Sequence, residues 1–424
     1  MDYDEETTVL VSLLPEADQD EQQSSVKAVP AIITANNRQN TFYCRYCSPP
    51  VCIAVLTILA FYGMFHTSQY LEADTERTVL KGCSSFLSSA PSYVPPPGTK
   101  IILFWNKFFG ESNPYVHDKL AACRERGCFL TEDRRYLSRA GAVIFHVRDL
   151  DANDLPPCRD PHQRYVFFLL ESPEHTGIKL AQRPWPGFFN LTWTYRRDSD
   201  VYAATYLEQF RPPVWTDRNA SRELLRGKVD RALIYSSNCN TPSRREVYIK
   251  KLGEKFPVDV VGACGRMGCP KSEQTTCDET GKYKFYLAFE NSICKDYLTE
   301  KVIRPLNRGT VPIVRPAPTS AYSQLLPPNS YIDATAFASP HDLAAHLWRV
   351  ARNITLYEEY YEWKFDPQYA ELPPAVTAAN TSMCRLCEIL HDSQFPSKQY
   401  DDLEGWWVRN AGCKSGKSLE YANL

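Results

Sequence analysis

The sequence predicts an α/β protein with two Rossmann-like, largely parallel-sheet domains behind a single apolar segment. Three observations carry this. Short apolar runs alternate with charged, helix-compatible stretches twice along the chain, over residues 100–210 and 231–364. Pro212-Pro213 and a polar stretch up to Arg226 separate the two sets as a linker. No Asp, Glu, Lys or Arg lies between Arg45 and Glu72. With 424 residues, 43% of them apolar, the chain is long enough to bury more than one core. A formal charge of −2 and a pI near 6.5 lack the basic footprint of a nucleic-acid binder, so no nucleic-acid partner is expected.

Residues 1–40 are acidic and polar with little periodicity and read as disordered, within a cytosolic tail over 1–46. The apolar run 49–65 is near the lower length limit for a spanning helix, which gives one transmembrane anchor over 47–68 in the lipid bilayer. It starts too far into the chain for a cleaved signal peptide. Flanking charges do not orient it, since Arg38 and Arg45 on one side face Arg77 and Lys81 on the other. Cysteines and sequons do. Twelve of the fifteen cysteines lie beyond Cys44, Cys47 and Cys52, as do the N-glycosylation sequons at Asn190, Asn219, Asn353 and Asn380. The carboxyl-terminal part is therefore expected in the secretory lumen, a type II topology. Residues 69–98, ending in Tyr93-Val94-Pro95-Pro96-Pro97-Gly98, read as an extended stem.

In the first domain, 99–215, the runs IILFWN, AGAVIFHV, YVFFLLES and FNLTWTY read as strands and residues 116–126 as helix-compatible. Glu171 ends one of these strands, and Ser172-Pro173 after it starts a loop that exposes it at a carboxyl end. In the second, 230–365, RALIYSS, VDVVG, YKFYLAFE and VPIV supply strands, and Ser339-Pro340 opens a late helix. Its residues 283–314 form a strand–helix–strand crossover, with Asp296 as helix N-cap, Thr299 and Glu300 in the first turn, Lys301 behind them and Gly309 as the break. Glu290 and Asn291 then sit at a strand's carboxyl end, beside helix N–H groups free to receive an anion such as a diphosphate. Residues 366–424 form a cysteine-containing tail that packs back across the domains.

The order FYLAFENS-x-C-x-DY-x-TEK followed by G-x-VP-x-V, matched from Phe285 through Glu290, Asn291, Asp296, Tyr297, Thr299, Glu300 and Lys301 to Pro312, closely resembles the donor-site motif of the alpha-1,3-fucosyltransferases, glycosyltransferase family 10. LLESPEHT at 169–176 and FNLTWTYRRDSD at 189–200 extend the resemblance over roughly residues 100–363. It implies a GT-B architecture, two domains facing across a cleft, and inverting transfer from GDP-fucose to a glycan acceptor on glycoproteins, within the Golgi membrane. CPKSEQTTC, TSMCRLCEILH and LEGWW look most like invertebrate members that modify the innermost GlcNAc of N-glycans; Lewis-type outer-chain transfer and protein O-fucosylation are the alternatives within the class. A non-catalytic, membrane-tethered glycan-binding protein is the alternative outside it.

Inverting transfer needs a base for the acceptor hydroxyl and cationic groups for the departing phosphate. The resemblance gives Glu171 the role of base. Lys301 and Arg245, with Arg244 as fallback, are the diphosphate candidates, and Glu300 resembles the carboxylate that contacts the donor sugar. Tyr195, Arg196, Glu290 and Asn291 resemble residues lining the donor cleft. Asp149-Leu150-Asp151 and Asp198-Ser199-Asp200 form only a weak divalent-metal signal, so no obligatory metal or cofactor is expected and a divalent cation is at most stimulatory. Cys384, Cys387 and Cys413 resemble the family's carboxyl-terminal disulfide region. Two departures stand out. Arg304-Pro305 replaces the usual Asn-Ala, with a kinked or shortened helix expected, and Arg315-Pro316 replaces a residue plus glycine.

Overall fold

The computed structural model describes residue 91 and residues 93–416 apart from 118–119, 121–122, 126, 205, 266–276, 319, 321 and 370–380, together with the backbone of two short strands near the amino terminus. Those strands, Ile33–Asn36 and Thr41–Cys44, pair antiparallel, and the first lies inside the segment expected to be disordered. Their β-branched and aromatic residues suit extended pairing. The expected anchor at 47–68 and most of the stem lie outside the described residues. Among the described residues no helix is long and apolar enough to cross a membrane.

Residues 85–424 form one compact unit with two parallel sheets. The first sheet has β1 Lys100–Phe104, β2 Cys128–Thr131, β3 Ala140–His146, β4 Arg164–Leu169, β5 Leu191–Thr194 and β6 Val201–Tyr202, in the order β2-β1-β3-β4-β5-β6. The second has β7 Val229–Tyr235, β8 Val258–Val261, β9 Tyr283–Leu287, β10 Val311–Val314 and β11 Ile332–Asp333, in the order β8-β7-β9-β10-β11. Every pairing in both is parallel. Strand order therefore reverses between β1 and β3 and again between β7 and β9, and in such sheets ligands bind beyond the carboxyl ends of the strands near a reversal.

The strands read as unbroken apolar runs because both faces of each sheet are covered. In the first sheet Leu103, Val143, Phe145 and Phe167 pack on one face, and Ile102, Phe104, Ile144 and Phe168 on the other. What covers the first sheet comes from the tail, which was expected to pack back across the domains. Among the described residues the crossovers in this half are short 3-10 turns, including Pro114–His117 at the start of the helix-compatible stretch 116–126, part of which lies outside the described residues. Pro114 starts that turn, and Cys123 just beyond it is bonded to Cys384. The covering helices come from the far end of the chain.

The second half supplies its own helices: α1 Arg218–Arg226, α2 Arg245–Gly253, α3 Glu300–Asn307 and α4 Pro340–Ala351. The first lies inside the expected linker, where the Asp217 side chain accepts from the amides of Asn219 and Ala220 and starts a helix. Ser339 caps α4 as expected, accepting from Asp342. Pro305 lies inside α3 without breaking it, and the helix ends two residues later. The helix has only eight residues, and its carboxyl end is closed by Arg308 N–H to the Arg304 carbonyl and Thr310 N–H to the Pro305 carbonyl. The expected cap is corrected: Asp296 has φ of 59° and stands outside the helix, whereas Thr299 Oγ1 accepts from Lys301 N–H. The helix begins at Glu300, so the cap position falls on Thr299, whose backbone is extended.

The tail then returns to the first sheet. Helix α5, Ser382–His391, buries Met383, Leu386 and Ile389 on one face, while α6, Leu403–Trp407, buries Leu403 and Trp407 on the other. Two disulfides hold it there, Cys123–Cys384 and Cys128–Cys387, each closing a loop of about 260 residues. Trp407 is fully buried, packs on Phe167 and Tyr195, and donates its indole N–H to Thr176 Oγ1 at 2.9 Å. Trp407→Ala should cost about 3–5 kcal/mol of folding stability, measured as a large fall in the thermal or urea midpoint of unfolding.

Candidate active site

Beyond the carboxyl ends of β7 and β9, at the reversal of the second sheet, lies Arg245. Its guanidinium donates from Nη1 to the Phe289 carbonyl (2.9 Å) and from Nη2 to Ser236 Oγ (3.1 Å) and the Asn238 carbonyl (3.3 Å). Arg245 is 4% exposed, and its Nε–H is buried without a partner. Arg245 thus cross-links the two strand ends, and Arg244 before it turns left-handed at φ 50°. The Cys239–Cys264 disulfide ties the loops after β7 and β8 on the same edge.

Beside Arg245, the start of α3 carries a buried charge cluster. Glu290 Oε1 accepts from Thr299 N–H (2.9 Å) and Thr299 Oγ1 (2.7 Å). Lys301 Nζ lies 3.1 Å from Glu290 Oε2 and 3.1 Å from Glu300 Oε1, and donates to Thr299 Oγ1 at 3.0 Å. The Glu290 Oε2 contact is an ion pair without hydrogen-bond alignment. The helix N-terminus is therefore occupied by protein carboxylates rather than open to an anion, which corrects the expectation from sequence. Burial pushes the Glu290 carboxyl above the usual range. It acts on Glu300 in the same direction, but there the charge and hydrogen bond of Lys301 outweigh it and the carboxyl is lowered. Burial works against the Lys301 charge, yet Glu290 and Glu300 hold its ammonium more firmly protonated than an ordinary lysine.

The first sheet contributes Glu171, at the end of β4. Its Oε2 accepts from Tyr297 OH at 3.2 Å and from Asn291 Nδ2 at 3.4 Å, both on the loop that follows β9. One residue on, Ser172 Oγ donates to Ser292 Oγ at 2.7 Å. Asn291 Oδ1 is buried without a partner. Glu171, Glu290, Asn291, Glu300 and Lys301 are thus brought to one place by loops from both sheets. Two further residues belong there. Tyr297 lies within the motif, but only the folded loop shows its hydroxyl on Glu171. Tyr206, just beyond β6, is half-buried; burial raises its hydroxyl pKa, and the charges of Glu300, Glu171 and Glu290 raise it further. No local pattern marks Tyr206, since its neighbourhood is made by tertiary contacts.

Tyr195 and Arg196 lie behind this cluster. Tyr195 is buried against Tyr297, 4.8 Å between ring centroids, and its hydroxyl has no partner. Arg196 is 1% exposed, forks onto Asp198, donates to the Trp406 carbonyl and stacks over the Trp406 ring. Every face of that guanidinium is engaged by protein, so it braces the tail rather than facing the cleft. Both D-x-D sequences are likewise paired with protein groups. Asp149 accepts from Phe109 N–H and meets His146, Asp151 accepts from Asn153 N–H, and Asp200 pairs with Lys398. Arg315 of the second departure is buried and donates to the Ser243 carbonyl at 3.0 Å.

Cys384, Cys387 and Cys413 are all disulfide-bonded, the last to Cys294. Cys128, Cys387 and His391 cluster closely enough to suggest metal ligands, but those two cysteines are bonded to each other. Asn219 and Asn353 are exposed, and Asn380 lies outside the described residues. Asn190 corrects the sequon reading: it is buried, accepts from Tyr165 N–H and Arg159, and donates Nδ2 to the Lys398 carbonyl at 2.9 Å. A glycan on Nδ2 does not fit that enclosure.

Charged groups gathered beyond the carboxyl ends of two parallel sheets are the arrangement of the class of α/β proteins that bind their ligands at that edge. Family models place the chain within that class. Residues 97–206 match the amino-terminal fucosyltransferase domain, and residues 225–406 match the carboxyl-terminal domain of glycosyltransferase family 10. Alpha-(1,3)-fucosyltransferase C of Drosophila melanogaster is 33% identical over 75% of this chain and 80% of its own length. The human 4-galactosyl-N-acetylglucosaminide 3-alpha-L-fucosyltransferase FUT6 is 30% identical over 84% and 94%. GDP-fucose protein O-fucosyltransferase 3 of Xenopus laevis is 34% identical over 62% and 58%. The chain belongs to glycosyltransferase family 10 and is a fucosyltransferase.

Expressed through a secretory pathway, the chain should lose glycan mass on Asn353→Gln and none on Asn190→Gln, read by intact-mass spectrometry. Asn190→Gln should instead lower the melting temperature, because it withdraws buried hydrogen bonds worth about 1–3 kcal/mol.

Proposed function

We propose that the chain transfers L-fucose from GDP-fucose to a GlcNAc hydroxyl in α1,3 linkage on N-glycans, at the core GlcNAc, with inversion and without a covalent intermediate. The observation that carries this is the meeting of Glu171 from one sheet with Asn291 and Tyr297 from the other within 3.4 Å. A base held from the far wall faces the group delivered by the near wall, the arrangement that a single displacement needs. Two parallel-sheet halves joined in this way are what a GT-B architecture supplies.

In this reading Glu171 takes the acceptor proton as the hydroxyl attacks the anomeric carbon, and Lys301 stabilises the charge that develops on the leaving diphosphate. Glu290 and Glu300 hold the Lys301 ammonium in place. The diphosphate then shares an already paired cation, and Arg245 adds positive charge and fixes the loop at its back. Glu300, kept ionised by Lys301, is available to the fucose hydroxyls. The fold sits in the lumen of the Golgi, carried by the anchor expected at 47–68. A non-catalytic glycan-binding role leaves the Glu171–Tyr297 contact and the buried Lys301 cluster without a use.

Glu171→Gln should lower kcat by about 10²–10⁴ while leaving GDP binding nearly unchanged. Lys301→Ala should weaken GDP binding by on the order of tenfold or more, as expected for removing a charged partner. Calorimetry beside single-turnover kinetics separates the two, and equal binding losses in both variants would sink the assigned roles. An acceptor panel of core-chitobiose glycopeptide, galactosyl-GlcNAc and unglycosylated Ser/Thr peptide should show transfer chiefly to the first. Preference for the second or third identifies an outer-chain or protein O-fucosyltransferase instead.

A further inference from the structure

The loop after β9 carries Glu290, Asn291 and Tyr297 and has no regular secondary structure through Leu298. Something must hold it, and the tail does. Lys414 pairs with Ile293 in an antiparallel bridge, with Lys414 N–H to the Ile293 carbonyl at 2.8 Å. Lys295 N–H donates to the Ala411 carbonyl at 2.9 Å, and Cys413 is bonded to Cys294 between these contacts.

A second set of contacts runs through Gly416. Its N–H donates to the Pro242 carbonyl at 2.9 Å, and a Cβ placed on it would lie 2.5 Å from the Ser243 carbonyl oxygen and 2.6 Å from Arg244 Cβ. Only a glycine approaches backbone that closely. Ser243 in turn passes the contact inward, with its N–H to the Asn291 carbonyl at 2.9 Å and its Oγ to the Glu290 carbonyl at 2.7 Å. Arg245 starts α2 two residues later.

We propose that residues 411–416 form a strap that belongs to the donor site: closed by Cys294–Cys413 and seated by Gly416, it sets the position of the Glu290–Tyr297 loop and of the turn that bears Arg245. Cys413, Cys294 and Gly416 are positioning residues, acting through Glu290, Asn291 and Arg245. The inference rests on the reading of those residues as the GDP-fucose site. The strap reaches them from the half of the molecule that carries Glu171, because the same tail is fastened to the first sheet through Cys123–Cys384 and Cys128–Cys387.

The test uses the full chain with two variants that disturb the strap differently. Cys413→Ser opens its disulfide, whereas Gly416→Ala keeps every disulfide and displaces only the 242–244 turn. Each should raise the KM for GDP-fucose and the Kd for GDP on the order of tenfold, since sub-ångström misplacement of binding groups is costly, with the acceptor KM unchanged. Cys384→Ser, which leaves Cys128–Cys387 to fasten the same helix and does not touch residues 411–416, serves as the stability control: it should lower the melting temperature and leave the donor KM as it was. If the unaltered chain fails to bind GDP, the underlying reading falls and the inference with it. If the unaltered chain and both strap variants bind GDP equally well, the inference alone is overturned.

Discussion

The return of the chain's tail onto its first sheet is the constraint on which the rest depends. Among the described residues the six parallel strands are joined by short 3-10 crossovers, and the helices Ser382–His391 and Leu403–Trp407 cover both faces of their sheet. Two disulfides across about 260 residues remove much of the entropy that the unfolded chain would otherwise recover. The same segment, once past Trp407, bridges to the loop after β9 and links the halves that carry Glu171 and Lys301.

Burial and charge are balanced within the site. A lysine set among two carboxylates and a threonine hydroxyl is a pre-formed group with little freedom, which suits a site that must stabilise charge without reorganising. Glu290 is held as a helix cap through Thr299, so the carboxylate is structural for α3 and electrostatic for Lys301 at once. Arg245, Arg196 and Arg315 are cations turned to holding carbonyls and loops in place.

Much of this was legible in the sequence because its signals are local. Unbroken apolar runs marked the parallel strands, Ser339-Pro340 marked a helix start, and the FENS to TEK spacing marked the crossover whose residues gather at the site. The failures share a cause as well. Asp296 looked like a cap by composition, but the helix begins at Glu300, which leaves that role to Thr299. Asn190 satisfied a sequon while its amide was already engaged by Tyr165 and Lys398. Arg196 read as a cleft residue until the distant Trp406 took its guanidinium face. Tyr206 and Tyr297 acquire their roles from carboxylates more than thirty residues away in the chain or on the other sheet, which no periodicity or spacing encodes.

The central claim is that the base on one sheet is oriented by the loop of the other. A double-mutant cycle between Glu171→Gln and Tyr297→Phe, measured as kcat/KM for fucosyl transfer, addresses it directly. The account predicts strong coupling: once Glu171 is replaced, loss of the Tyr297 hydroxyl has little further effect, so the double variant is about as active as Glu171→Gln alone. Losses that simply add in the double variant would contradict it.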